Sequence, residues 1–284
     1  KMIHQYDHRF GTYEGQSLSQ ANQGKLPEMT PEQKLVPTCR TLPRYWISRD
    51  EINGRLAGYD AEWVIAFRDI TNSTNERTSI FAILPMAGFG DTCPILLCSS
   101  SSVKQVCLLG CLNSFVLDYA TRQSISGMHL RFSYLKQLPV LSPEIFDKSC
   151  RWNFDVPVIR HWLLPRVLEL TYTAWDLQPF ARDCGYDGPP FRWDEDRRFL
   201  LRCELDAAYF HLYGIERDDV DYIMETFPIV KRKDIAKHGE YRTKRVILEM
   251  YDDMAAAMQG GAPYVTRLDP PPADARVAHG GVMR

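Results

Sequence analysis

The chain has 284 residues, 45% of them hydrophobic and 25% charged, with a formal net charge of −2. Those proportions describe a globular chain with a real core, in one large domain or two smaller ones. They exclude a wholly basic nucleic-acid module, for which a pI above ~9 is the footprint, although a local basic face stays open.

Residues 1–37 are polar, rich in Gln and Gly, and weakly periodic. Thr30-Pro31-Glu32-Gln33 predicts a helix start, with Thr as N-cap, Pro at the first helical position and Gln three residues on. Ser48-Arg49-Asp50-Glu51 predicts a second short helix ending near Gly58 by the same logic. "EWVIAFRDI", "SIFAILP" and "PILLC" are β-branched and aromatic runs of strand length. "SSSVKQVCLLGCLNSFVLDYATRQ" follows a helical period, and "MHLRFSYLKQLPV" alternates as a returning strand. Beyond Ser142 the chain is mostly helical. "IRHWLLPRVLELTYTAWDLQPFA", "DEDRRFLLRCELDAAYFHLYGI" with Asp194 as N-cap, the short "RDDVDYIMETFP" and the long "DIAKHGEYRTKRVILEMYDDMAAAM" are its helices. The Pro-rich stretch after Gly260 is expected to be disordered.

The cysteines (Cys39, Cys93, Cys98, Cys107, Cys111, Cys150, Cys184, Cys203) form no CxxC, and no His pair has zinc-ligand spacing. They read as reduced core thiols of a cytoplasmic protein. The apolar stretch 79–98 is interrupted by Pro85, Gly88, Gly90, Asp91 and Pro94, so no membrane span is expected. No signal peptide is visible, and the chain opens on Lys1 in the manner of a piece cut from something longer.

Catalytic patterns are near-misses. Gly188-Pro189-Pro190-Phe191 resembles the Asn/Asp-Pro-Pro-aromatic loop of amino methyltransferases, but Gly188 has no side chain to accept from a target amine. Asp269-Pro270-Pro271-Pro272 has the carboxylate and lacks the aromatic. Gly88-Phe89-Gly90 lacks the third Gly and the following helix of a phosphate cradle. His4 and His8 have no third metal ligand.

Recognition chemistry is denser. The patch 68–78 supplies Arg68, Asn72, Ser73, Thr74, Asn75, Arg77 and Thr78, side chains that suit base edges and phosphates. The same residues also suit a structural loop in which Asn and Thr satisfy backbone groups and Arg68 pairs with Asp69 or Glu76. "RFSYLKQLP" adds Arg131, Lys136 and Gln137. The basic window 231–245 fits phosphate contact or a solvated helix face. "KMIHQYDHRFGTY" interleaves Arg9 and other polar residues with aromatics, a pattern that tracks a nucleic-acid strand or docks on a neighbouring domain.

Five phrases in order, "KMIHQYDHRFGTYEG", "YWISRDEI", "WVIAFRDITNSTNERTSIFAILP", "LNSFVLDYATRQSISGMHLRFSYLKQLPVLSP" and "RCELDAAYFHLYGIERDDVDYIMETFPIVKRKD", together resemble one family over about residues 1–250. It is the C-terminal half of large adenine-specific DNA methyltransferases, including type IIG-like restriction–modification proteins and the methyltransferases of the BREX and DISARM phage-defence systems. "LKQLPVLSP" is also similar to the close of a recognition domain in type I specificity subunits. The resemblance implies a cofactor domain upstream, binding S-adenosylmethionine and carrying the catalytic loop. It places enzyme activity, adenine methylation and in some members DNA cleavage, in the parent protein and not in these residues.

The resulting expectation is an α+β fold. A linker segment at 1–39 would lead from the upstream domain into a target-recognition domain at 40–141 with a small curved sheet. A helical domain at 142–258 and a disordered tail at 259–284 would follow. The partner would be double-stranded DNA, with the upstream methyltransferase domain and other subunits of a defence complex beside it. Candidate DNA contacts are Arg68, Ser73, Thr74, Asn75, Arg77 and Thr78, with Arg9, Arg122, Lys136 and Gln137. No cofactor, metal or catalytic residue is assigned to this chain. Within the resemblance, the 68–78 phrase suits phosphate contact or strand architecture, and the loops near 86–94 and 121–129 suit base reading. The alternative is a scaffold whose acidic helical half docks partner subunits; a nuclease is a weaker third reading.

Overall fold

The computed structural model of the chain describes residues 1–281. The fold is α+β: a three-stranded antiparallel sheet set among helices. Helices α1 (Leu18–Asn22), α2 (Pro31–Lys34) and α3 (Arg49–Arg55) each begin on a hydroxyl cap, Ser17, Thr30 and Ser48, which accepts from the N–H three residues on. Helix α3 stops short of the expected Gly58.

Strand β1 (Trp63–Phe67) lies between β2 (Phe81–Pro85) and the two-residue β3 (Ile95–Leu96), with Ile65 opposite Ile83 on one side and Leu96 on the other. Every β1 residue is buried, which is why its run is continuously apolar and does not alternate. Trp63 meets Phe180 edge-on, and Phe67 meets Phe81 and Phe132.

The single helix expected after β3 is two, α4 (Ser102–Asn113) and α5 (Phe115–Ser124). Ser114 is extended (ψ 153°) and its hydroxyl caps Leu117 N–H. The break frees the Asn113 side chain to pair with both backbone groups of Phe81, its Nδ2 donating and its Oδ1 accepting. "MHLRFSYLKQLPV" is not a strand. It makes an isolated bridge at His129 to Ile70 and then turns into α6 (Phe132–Leu135). Its alternation misled because Met128 and Phe132 are exposed while only Leu130 is fully buried.

After a 3₁₀ turn at Pro143–Asp147 come α7 (Ile159–Thr171), α8 (Gln178–Asp183), α9 (Glu195–Leu212), α10 (Arg217–Glu225), α11 (Pro228–His238) and α12 (Arg242–Met258). Asp194 caps α9 as expected. The long C-terminal helix is divided at Gly239, whose φ of 77° is left-handed and ends α11. Helix α9 packs on α7, α12 and α5, and α4 packs on α7.

Two expectations about the ends do not hold. Residues 1–39 are not a linker: Ile3, Gln5, Tyr6, Asp7, His8 and Arg9 are buried, and Tyr6 N–H donates to Phe81 O along β2. The segment after Gly260 is not disordered through residue 281; residues 282–284 lie outside the described residues. Tyr264, Leu268, Val277 and Ala278 are buried. Tyr264 Oη donates to Glu204 Oε1 (2.8 Å), whose other oxygen takes Arg166 Nε (2.8 Å). Glu169 accepts from Ala273 N–H (2.8 Å) and twice from Arg197 (2.8 and 3.0 Å). Pro-rich composition concealed four apolar anchors and two buried carboxylates needing donors. One hydrophobic cluster includes Tyr6, Ile65, Leu109, Tyr209, Met254 and Val277, so all four expected stretches share a core.

Tyr264→Phe should lower the unfolding free energy by about 1–3 kcal/mol, because Glu204 loses a buried donor. Urea denaturation measures it; an unchanged midpoint would return the C-terminal segment to a loose tail.

Candidate nucleic-acid interface

The polar patch between β1 and β2 is organised by a carboxylate on α5. Asp118 is fully buried. Its oxygens accept from Arg77 Nε (2.6 Å), Thr78 N–H (3.1 Å) and Ser79 N–H (3.2 Å). Arg77 also donates to Asn113 O (2.6 Å), and its guanidinium lies 3.9 Å from the Phe115 ring centre. Arg122, one turn beyond Asp118, has its Nε 3.5 Å from Oδ1, an ion pair without a hydrogen bond. Its other nitrogens donate to Asn75 O, Glu76 O and Thr226 O, and it stacks on Phe227.

The patch also satisfies itself. Thr78 Oγ1 donates to Asn72 O (2.9 Å), Thr71 Oγ1 to Thr78 O (3.0 Å), and Asn75 Nδ2 to Thr71 Oγ1 (3.3 Å). Asn72 Oδ1 accepts from the N–H and hydroxyl of Thr74. Four expected DNA contacts are therefore corrected. Arg77 and Thr78 are buried; Arg122 spends its donors on carbonyls. Arg9 is fully buried and donates to the carbonyls of Lys34, Val36, Cys39 and Thr173. The physical reason is common to all four: a guanidinium or hydroxyl that fits a phosphate fits a crowded set of backbone groups equally well.

Ser73, Thr74, Lys136 and Gln137 remain at the surface, and Asn75 is half-buried. Arg68 is half-buried with its Nε lacking a hydrogen-bond partner, and burial lowers its pKa. Burial, aided by the charges of Arg68, Arg202 and Arg77, holds the nearby His4 down to about 3, so its imidazole is neutral; Asp7 offsets this only in part.

Sequence reasoning missed the centre of this surface. Asp69–Thr71, just past β1, is where two loops meet: Asp69 N–H donates to Thr92 O, Leu130 N–H to Asp69 O and Thr71 N–H to Met128 O. The Asp69 carboxylate pairs with His129 and lies 3.8 Å from Arg131. Loops 86–94 and 125–131 are thereby held side by side, with Met128, His129, Arg131 and Phe132 at their rim. A lone Asp ending an apolar strand was the available signal.

A second rim lies on α11. Lys233 pairs with Glu76 of the patch, while Arg232 and Lys237 are exposed and form no ion pair among the described residues. The rest of the basic window is neutralised: Lys231 and Lys244 by Glu225, and Arg245 by Glu240 and Glu249. A shallow concavity of about 550 Å³ there is lined by these paired ions. Phe191 of the Pro-Pro-aromatic near-miss is fully buried against Tyr172 and Tyr186. Among the described residues no cluster of His, Cys, Asp or Glu could hold a metal, and no helix is long and apolar enough to cross a membrane. Comparison with protein-family models, curated proteins and solved structures finds no match.

Asp118→Ala should cost about 3–5 kcal/mol of stability, since it strands a buried guanidinium and two backbone donors. Denaturant unfolding reads this directly, and a loss below about 1 kcal/mol would remove Asp118 as the organiser. Asp206, which accepts Phe115 N–H, has its pKa pushed up to about 6 by burial, against the opposing pull of Arg77, the Phe115 amide and Arg202. A carboxyl raised in the fold binds its proton more tightly there than in the unfolded chain. Stability from this group therefore rises as pH falls from 7 through 6 and levels off near the unfolded value of 3.8. Relative to Asp206→Asn, the wild type should gain on the order of 2 kcal/mol between pH 7 and 4.5. Parallel unfolding curves for the two proteins over that range would contradict it.

Proposed function

We propose that this chain is the DNA-recognition part of an adenine N6 DNA methyltransferase of a restriction–modification or phage-defence system. The observation that carries the reading is the convergence of loops 86–94 and 125–131 on Asp69–Thr71, bordered by exposed cations. Lys136, Arg232 and Lys237, with Arg131 and Lys233 exchanging their pairs to Asp69 and Glu76 for phosphate, suit both strands, while the loops between them suit base edges. The resemblance of the five phrases supplies the reaction class.

In this reading the buried Asp118 network fixes the loop scaffold, so register on the duplex is set before binding. Methyl transfer belongs to the S-adenosylmethionine domain of a longer protein. No step of the transfer is assigned here. The target adenine would leave the stack for the methyltransferase pocket, and this chain would grip the flanking duplex.

Binding to duplex DNA should weaken steeply between about 50 and 200 mM salt. Arg131→Ala, Lys136→Ala and Arg232→Ala should each reduce affinity across sequences and lower the salt slope by about one, with unchanged thermal stability. Fluorescence anisotropy against labelled duplex tests this. No binding at about 50 mM salt, or no change in any of the three variants, would overturn the reading.

A further inference from the structure

We propose that Tyr45 and Trp46 form a stacking wedge that takes unpaired DNA bases at an opened step beside loop 86–94. The inference rests on the DNA-recognition reading and names the element that engages opened bases.

The segment between α2 and α3 has no regular secondary structure but is fastened at both ends. Arg9 Nη1 donates to Val36 O (3.0 Å) and Cys39 O (3.2 Å). Leu42 N–H donates to Thr12 Oγ1 (3.0 Å), and Leu42 O accepts from Tyr13 N–H (3.0 Å). At the far end Ile47 sits directly on Gly88, so close that a β-carbon there would overlap Ile47 Cγ2. The segment is thus seated on loop 86–94, whose Thr92 is bonded to Asp69.

Between these fastenings Tyr45 is 79% exposed and Trp46 78%. Trp63, Trp152, Trp162 and Trp193 are buried and Trp175 half-buried, so Trp46 departs from every other tryptophan in the chain. Two adjacent large rings held in water are a persistent cost unless something covers them. Arg40 and Arg44 flank them on one side without an ion pair among the described residues, while Arg49 on the other is paired with Glu62 and followed by Asp50 and Glu51 at the start of α3. Arg44 lies over the Tyr45 ring at 5.5 Å. Exposed rings interleaved with guanidinium groups suit a polyanion that offers π faces. Continuity with the loops around Asp69 favours DNA over a protein partner as the occupant. The two-ended fastening gives the rigidity that a wedge between base steps requires.

The experiment compares a matched duplex with the same duplex carrying one central unpaired base, using this chain, Tyr45→Ala, Trp46→Ala and Trp46→Phe. The wild type should prefer the opened duplex. Trp46→Ala should lose on the order of tenfold in affinity for it and little for the matched duplex, and Trp46→Phe should keep most of the preference. Quenching of intrinsic fluorescence on binding should disappear in Trp46→Ala, with thermal unfolding unchanged. Equal binding of both duplexes by wild type and Trp46→Ala would overturn the wedge while leaving DNA recognition standing. So would a change of oligomeric state in Trp46→Ala without a change in DNA affinity, which would assign the rings to a protein contact. Failure of the wild type to bind either duplex would overturn the underlying reading itself.

Discussion

One buried carboxylate, Asp118, holds the sheet connection to the helices, and the arrangement of the candidate surface follows from it. Removing a carboxylate from water costs several kcal/mol, offset only when good donors surround it. Here the donors are Arg77 and the amides of Thr78 and Ser79, all from the approach to β2. Asn113, at the end of α4, closes the same junction by pairing with Phe81. The connection from β1 to β2 is therefore fixed from beneath, and its Asn and Thr side chains finish the work among themselves. What faces water is Ile70, Ser73 and Thr74, with parts of Arg68, Asn72, Asn75 and Glu76.

Arg9 performs the comparable task for the N-terminal segment. Its guanidinium gathers carbonyls from Lys34, Val36, Cys39 and Thr173, tying the N-terminal phrase, α2 and the approach to α8 together. The segment it secures carries Tyr45 and Trp46. The interior arginines thus act on the surface indirectly, by holding the backbone that presents other side chains. Many of the chain's basic groups are consumed in pairs or on carbonyls, while Arg232 and Lys237 on α11 stay exposed without an ion pair among the described residues.

Much of the fold was legible in local chemistry. Thr30, Ser48 and Asp194 mark true helix starts, and the runs around Ile65, Ile83 and Ile95 are true strands. Ser114 and Gly239 divide helices whose apolar period runs through the break: a tertiary partner, Phe81, takes the Asn113 side chain before Ser114, whereas Gly239 ends α11 by its own left-handed backbone. Met128 and Phe132 alternate like a strand, but Met128 is exposed and Phe132, also partly exposed, opens α6 with its ring edge-on to Phe67. Tyr264 and Val277 lie in a segment whose composition reads as loose, yet single apolar anchors and two carboxylates suffice to bind it.

The sequence by itself determined the class of fold, the helix caps, the strands and the stock of directional side chains, because propensity, capping and periodicity are local properties. Only the tertiary structure decided which of those side chains face inward. Arg77 and Arg68 stand at opposite ends of one polar run and look alike in sequence. One meets Asp118 across 41 residues and is buried; the other finds no partner for its Nε and stays half-exposed. That difference depends on what packs opposite, and nothing within a short window of sequence carries it.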